Sequence, residues 1–143
     1  MTAVIAVAAA LLAVGLLPEK KGHAVSWSDL SPQVGPLVIT HSERRVFRER
    51  AKLARYLRRA RASRIPPNDF AKRQLLLVSP GPRSSSGYGI QILSARERDG
   101  TLTVKVRERA PGLDERVLPH VTYPYRLISL PTGGDVYVDW VGR

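Results

Sequence analysis

Three histidines and one run of serines are the residues with catalytic potential. The serines stand together at Ser84–Ser86 and are followed by Gly87. A nucleophile elbow needs a glycine on both sides of the serine and a strand that leads into a helix. Here the turn leads from one strand pattern into another, and His23, His41 and His120 are far apart in the chain. We therefore predict that the protein is not an enzyme.

Metal and cofactor sites are not indicated either. The chain has no cysteine, which excludes disulfides, thiolate metal ligands and cysteine nucleophiles. Near His120 no second histidine or carboxylate stands at a metal-ligand spacing. The glycines of Pro80–Gly89 lack the Gly-Lys-Ser/Thr sequence and the following helix that a phosphate-binding loop requires. The sequence predicts no cofactor and no metal.

The N-terminus carries an uncharged apolar run, Ala3–Leu17. As a helix it would be about 22 Å long, which is short against about 30 Å of bilayer hydrocarbon. Gly22-His23-Ala24 places small residues at the −3 and −1 positions of a cleavage site. Residues 1–24 are therefore predicted to be a signal peptide or an uncleaved membrane anchor, and a buried helix is the alternative. Either of the first two makes the domain extracytoplasmic, secreted or membrane-anchored.

A linker and a basic helix are predicted next. Val25–Gly35 has no periodicity and is predicted to be a linker, and Leu37–Thr40 to be a short strand. Glu43–Arg64 is predicted to be one amphipathic helix capped by Ser42, because its apolar residues recur at helical spacing.

The predicted helix carries most of the positive charge of the chain. It holds ten basic and two acidic residues, in a protein with 23 Lys and Arg against 12 Asp and Glu. Such charge favours anionic partners. A solvated outer face is the alternative. Nucleic acid is disfavoured by the predicted leader and because the aromatics, 6% of the chain, lie mostly at apolar strand positions rather than among the arginines. The candidate contacts to an anionic membrane or wall surface are Arg48, Lys52, Arg55, Arg58 and Arg59.

The rest of the chain has the pattern of strands. Gln74–Ser79 is predicted to be a central strand covered on both faces, and Asp99-Gly100 a type I′ hairpin turn. Pro124 interrupts a further apolar segment, and Val136–Val141 alternates as a last strand. The predicted class is α+β: over residues 36–143, a mostly antiparallel sheet of about six strands with one basic amphipathic helix packed on it, after an apolar N-terminal leader helix. An all-β sandwich with a side helix is the alternative.

Three motifs stand in a recognisable order. Gly81–Tyr88 has the pattern Gly-x-Arg-x-x-x-Gly-Tyr, Val104–Gly112 is a strand ending in a Pro-Gly turn, and Thr122–Tyr125 reads Thr-Tyr-Pro-Tyr. In this order they resemble the C-terminal domain family of PrcB, a protease-complex subunit, from about Leu37 to Val141. Two differences concern the site: Ser85-Ser86 replaces the family's usual Thr-Gly, and Pro119-His120 its frequent Thr-Gln.

The resemblance implies a non-catalytic extracytoplasmic domain that associates with a protein partner, such as an exported protease, and stabilises it. We predict that Gly87-Tyr88 and Tyr123–Tyr125 lie close together as a partner site; alternatively, the tyrosines are core residues that hold the turn. A second hypothesis is that the helix at 43–64 binds anionic envelope polymer or lipid. The candidate partner-binding residues are Arg83, Ser86, Gly87, Tyr88, Tyr123, Pro124 and Tyr125.

Overall fold

The computed structural model describes residues 22–142. In chain order, the elements are β1 (His23–Ala24), β2 (Ser28–Asp29), α1 (Ser31–Val34), β3 (Glu43–Phe47), α2 (Arg50–Arg59), β4 (Arg73–Ser79), β5 (Gly89–Arg98), β6 (Thr101–Arg109), β7 (Arg126–Pro131) and β8 (Asp135–Val141). The predicted leader at residues 3–17 lies outside the described residues. Between residues 22 and 142, no helix is long and apolar enough to cross a membrane.

The eight strands in the described part of the chain form two sheets. One has the order β1-β5-β6-β8 and the other β2-β7-β4-β3. Every pair is antiparallel except β6 and β8, which run parallel. The α+β class and the mostly antiparallel pairing are confirmed. The prediction of a single sheet of about six strands is wrong, because two four-stranded sheets pack face to face, as in the layered alternative.

Strand β4 explains why two sheets are needed. Its side chains point alternately to two faces, and all of them from Gln74 to Ser79 are buried. Leu76 and Val78 join the core between the two sheets, which includes residues of β5, β6 and β8. Leu75 and Leu77 join a second core on the opposite face, beneath α2. This confirms the prediction of a central strand covered on both faces.

The hairpin between β5 and β6 also agrees with the prediction. Asp99 and Gly100 both have positive φ, 49° and 80°, as a type I′ turn requires. Arg98 lies opposite Thr101 at the end of the ladder. Residues 132–134 form the bend that leads from β7 into β8.

The predicted helix at 43–64, with Ser42 as its cap, is wrong at both ends. Glu43–Phe47 is a strand, β3, that pairs with β4, and the helix spans only Arg50–Arg59, after Glu49 as its N-cap. Val46 then faces the core between the sheets, and Phe47 faces the core beneath the helix. Pairing with the open edge of β4 satisfies the backbone of this segment, and this tertiary effect overrides the helical spacing.

The segment before β3 also differs from the predictions. Leu37–Thr40 is not a strand; Leu37 and Ile39 pack in the core beneath α2, while the Val38 N–H donates to the Ala60 carbonyl at 2.9 Å. Within the predicted linker, Ser28–Asp29 pairs with β7, and the short helix α1 buries Val34 completely. These residues are thus part of the folded domain.

Candidate functional site

The turn after β4 is fixed by buried hydrogen bonds. The Ser79 hydroxyl donates to the Pro124 carbonyl at 2.8 Å and accepts from the Gly81 N–H at 3.1 Å. Gly81 has a φ of 87°, and an added Cβ would lie 3.2 Å from the backbone at His41. The turn is therefore anchored both to the chain before β7 and to the chain before β3.

Arg83 is the electrostatic centre of this turn. Its guanidinium holds Glu108 of β6 in a bidentate pair, with Nε 2.5 Å and Nη2 2.8 Å from the two carboxylate oxygens. It also donates to the Pro82 carbonyl at 3.0 Å and lies 5.9 Å from the ring centroid of Tyr88. The hydrogen bond to Glu108 raises the pKa of Arg83. Arg83 thus ties the turn to the sheet rather than projecting into solvent.

We expect the Arg83–Glu108 pair to contribute measurably to stability. Its side chains are only 26% and 17% exposed, so either single change removes a charge-assisted bidentate contact from a partly buried site. Arg83→Met and Glu108→Gln should each lower the free energy of unfolding by about 1–3 kcal/mol. Because the two residues share one interaction, the double variant should cost less than the sum. Urea denaturation of the four proteins tests this, and additive costs would contradict it.

The turn pairs with the segment before β7. Arg83 and Thr122 form a two-way bridge, with each N–H 2.9 Å from the other's carbonyl. The Thr122 hydroxyl donates to the Ser85 carbonyl at 2.8 Å. The Leu118 N–H donates to the Ser86 hydroxyl at 2.8 Å, and the Ser86 N–H returns to the Leu118 carbonyl at 3.1 Å. These bonds bring the turn at 83–86 alongside residues 118–122, next to the Tyr-Pro-Tyr segment.

Gly87 is the contact between the turn and the loop at 110–121. Its φ is 93°, and an added Cβ would lie 2.9 Å from Cβ of Pro111 and 3.1 Å from Cγ1 of Val117. Arg109 donates to the Gly87 carbonyl at 2.5 Å. Glycine is therefore required here both for the backbone conformation and for the close approach of the loop.

The 110–121 loop is held in place yet exposes apolar side chains. Glu115 accepts two hydrogen bonds from Arg109, at 2.9 and 3.0 Å, and one from the Gly112 N–H at 3.1 Å. The bonds from Arg109 and then Gly112 lower the pKa of Glu115. On the same loop Leu113 is fully exposed, Leu118 is 64% exposed and Val121 is 56% exposed. The sequence analysis did not single out these three residues, although their apolar type in a polar, Pro- and Gly-containing stretch was a usable signal.

The predicted partner residues have different environments. Tyr125 is buried, and its hydroxyl donates to the carbonyls of Gly35 and Ser31. Burial, with a smaller effect of Asp29, raises the pKa of Tyr125 to about 12. Tyr125 is thus a core residue, in agreement with the alternative interpretation given above for the tyrosines. Ser86, Gly87, Tyr88, Tyr123 and Pro124 are partly exposed.

The basic residues divide between two places. Lys52, Arg55 and Arg59 line a cleft of about 340 Å³ between α2 and β3. Arg48 lies elsewhere: it donates to the Gln74 side chain at 3.2 Å and to the Gly134 carbonyl at 3.4 Å. Arg58 is exposed on α2 but does not line the cleft. The five predicted contacts therefore do not form one site.

Arg45 and Tyr56 complete this cleft. The Arg45 guanidinium lies 5.1 Å from the ring centroid of Tyr56, a cation–π distance, and Phe47 packs on the same ring at 5.4 Å. Sequence reasoning missed Arg45 because it assigned this residue to the helix, whereas it faces the helix from β3.

We expect the Tyr56 phenol to ionise late. Burial, followed by the charge of Glu43, raises its pKa from 10.0 to about 12, against the opposing charge of Arg45. Since the unfolded phenol ionises first, this stabilisation is present below pH 10 and is lost as the pH rises towards 12. Phenolate absorbance followed against pH should show a late step that Tyr56→Phe reduces. Ionisation of Tyr56 near pH 10 in the folded protein would contradict the burial argument.

Within residues 22–142, no three His, Cys, Asp or Glu side chains are grouped so that they could hold a metal ion. The Ser85 hydroxyl donates to the Ser86 carbonyl at 3.1 Å, and the Ser86 hydroxyl accepts from Leu118 as described above. The hydroxyls of Ser85 and Ser86 are thus used in holding the turn.

The fold and this surface define an α+β domain of two packed sheets that presents a fixed turn and an apolar loop beside each other. The sequence model of the PrcB C-terminal family matches residues 75–131, which run from β4 through the hairpin and the loop to the end of β7. This match confirms, over these residues, the resemblance seen in the motifs. No curated protein and no solved structure matches the chain.

Proposed function

We propose that the protein is a non-catalytic accessory subunit that binds a protein partner through the turn at 83–88 and the 110–121 loop. The partner is an exported protease or an envelope complex that contains one, since the matched family is named after a protease-complex subunit. The observation that carries this proposal is the exposure of Leu113, Leu118 and Val121 on a loop that is held by side-chain and backbone bonds.

The loop has the physical properties of a docking surface. Large exposed apolar side chains mark interaction sites when they are grouped, because their burial against a partner releases water. The Ser86–Leu118 and Arg109–Glu115 contacts already hold the loop, so binding loses less conformational entropy than it would for a free loop. Tyr88 and Tyr123 are partly exposed and add aromatic surface of the kind enriched at interface hot spots.

The extracytoplasmic setting rests on the sequence alone. The uncharged run at residues 3–17 has the length of a signal peptide core, and it lies outside the described residues. Cleavage after Ala24 would remove β1, which pairs with Arg96 and Glu97 of β5. An uncleaved anchor would keep this strand. N-terminal sequencing of the mature protein distinguishes the two forms.

Affinity capture from the membrane extract of the native cells tests the function. The unchanged chain is one bait, and a variant with Leu113, Leu118 and Val121 all changed to serine is the second. A matched control is Tyr137→Ser, which alters an exposed apolar residue on β8. The proposal expects the unchanged chain and the control to enrich the same protease or envelope protein, and the triple variant to lose it. Equal capture by all three, or no enrichment, would contradict it.

The cleft between α2 and β3 supports a second candidate function, the binding of anionic envelope polymer or lipid. Four cations line the cleft, namely Arg45, Lys52, Arg55 and Arg59. Glu43 lies 3.7 Å from Arg45 and Glu49 lies 3.4 Å from Lys52, so the positive charges outnumber the neighbouring carboxylates. Such a field attracts anions, and the attraction weakens with salt.

Sedimentation with vesicles of phosphatidylglycerol, or with purified wall polymer, tests this second candidate. The variant with Lys52, Arg55 and Arg59 changed to glutamate should no longer sediment. In the control variant, Lys72, Arg98 and Lys105 are changed to glutamate. These residues are exposed outside the cleft, so the control has the same change of net charge. If both variants lose binding equally, net charge rather than the cleft is responsible.

A further inference from the structure

One half of β5 is an open sheet edge. The N-terminal segment pairs with β5 only at Arg96 and Glu97, and the Val25 N–H adds one bond to the Ala95 carbonyl at 3.0 Å. The chain then crosses to the other sheet, where β2 pairs with β7. Among the described residues, no strand pairs with Gly89–Leu93 on the side away from β6. Such an edge presents backbone donors and acceptors to another extended chain.

A bulge sets the limit of this edge. The register between β5 and β6 passes from Ile92 opposite Val106 to Ser94 opposite Lys105, so Leu93 has no opposite residue. Leu93 is 41% exposed as a result. The bulge bends the strand at Leu93, and the N-terminal segment already occupies Ala95–Glu97, so an added strand is confined to the stretch Gly89–Ile92.

A groove of about 460 Å³ runs beside the open edge. Its exposed apolar part is formed by Ile92 and Leu93 of β5 and by Trp27, which is 39% exposed, while Ile90 is only 1% exposed and belongs to the core between the sheets. Trp27 is held there because the chain crosses between the sheets at this point. The groove therefore offers a site for an apolar side chain of an added strand.

The charges of the groove do not cancel. Arg107 and Arg126 line it, against the single carboxylate of Asp29. Arg126 lies 3.5 Å from Asp29, whereas the contact that Arg107 makes within residues 22–142 is to the neutral side chain of Gln91, at 3.4 Å. Arg107 is exposed on the outer face of the sheet, so its guanidinium is available to a carboxylate.

We propose that the edge Gly89–Ile92 binds an extended peptide segment of a partner protein by strand addition. The segment has an apolar residue beside an acidic one. Because successive side chains of a strand point to opposite faces, the apolar side chain enters the groove against Trp27 and Leu93 while its acidic neighbour reaches Arg107 on the outer face. The site uses no residue of the 110–121 loop and so stands independently of the function proposed above.

Selection from phage-displayed random nine-residue peptides against the full chain provides the probe. The proposal expects selected peptides to combine apolar and acidic residues in alternation. A synthetic peptide with the selected sequence should slow hydrogen exchange in Gly89–Ile92 when it binds. The protected amides should be those that face away from β6. A version of the peptide with a central proline should not bind, because proline cannot donate to the ladder.

Two variants on β6 identify the charge contact. Arg107→Gln should weaken peptide binding by about tenfold, as expected for loss of one charge-assisted hydrogen bond. Lys105→Gln, two residues away on the same exposed face and outside the groove, should leave the affinity unchanged. The proposal is overturned if no peptide is selected, if exchange at Gly89–Ile92 is unaffected, or if both variants weaken binding equally.

Discussion

Replacement of Tyr125 by alanine is expected to lower the free energy of unfolding by about 3–5 kcal/mol, the range for large buried aromatics. Tyr125 packs in the core beneath α2, next to β7. Its hydroxyl joins this core to the turn of α1 through the carbonyls of Gly35 and Ser31. Tyr125→Phe keeps the ring and loses only these bonds, so it should cost about 1 kcal/mol.

Urea denaturation of both variants measures these costs, with partner capture as the second readout. The phenylalanine variant should capture the partner as well as the unchanged chain does. If Tyr125→Ala retained full stability but lost capture, Tyr125 would be a contact residue after all, and its assignment to the core would be wrong.

Gly87→Ala is expected to impair both stability and partner binding. The φ of 93° is costly for any residue with a Cβ, by about 1–2 kcal/mol. The new methyl group would also overlap Pro111 and Val117, whose positions define the start and middle of the 110–121 loop. The turn at 83–86 is fixed by its backbone bonds to Leu118 and Thr122. We therefore expect the start and middle of the loop, at Pro111 and Val117, to move away from the new methyl group and to displace the exposed apolar residues of the loop.

A matched control is Gly89→Ala, two residues along the same chain. No heavy atom lies within 4 Å of a Cβ added at Gly89, and Gly89 does not have the positive φ of Gly87. It should therefore keep both stability and capture. Denaturation, and hydrogen exchange of the Leu118 amide, report the two effects of Gly87→Ala. An unchanged exchange rate of the Leu118 amide would contradict the proposal that Gly87 positions the 110–121 loop.

The elements that local pattern determines were predicted well. The run Leu75–Val78 required burial on both faces, and Asp99-Gly100 required a hairpin turn; both follow from neighbouring residues alone. Strand β3 could not be found in this way. Its apolar residues Val46 and Phe47 continue the helical spacing of Leu53, and only the open edge of β4, far along the chain, makes this segment a strand.

Of the candidate site, the sequence predicted the parts that local motifs determine and missed those that depend on distant residues. The motif at Gly81–Tyr88 located the turn, and the structure places it beside Thr122 as expected of neighbouring segments. Whether Tyr125 points into the core depends on acceptors at Ser31 and Gly35, about 90 residues earlier, which no local pattern reveals. Arg45 was likewise misplaced, because its approach to Tyr56 depends on how β3 and α2 pack.

The most direct test of the proposed function is site-specific photo-crosslinking in the native cells. A photoreactive phenylalanine analogue at position 118 lies on the exposed loop, and the same analogue at position 137 lies on exposed β8 as the control. The account predicts that position 118 crosslinks to a protease or to a component of its complex, while position 137 does not. Crosslinks to the same protein from both positions, or none from position 118, would contradict the claim that this loop is the docking surface.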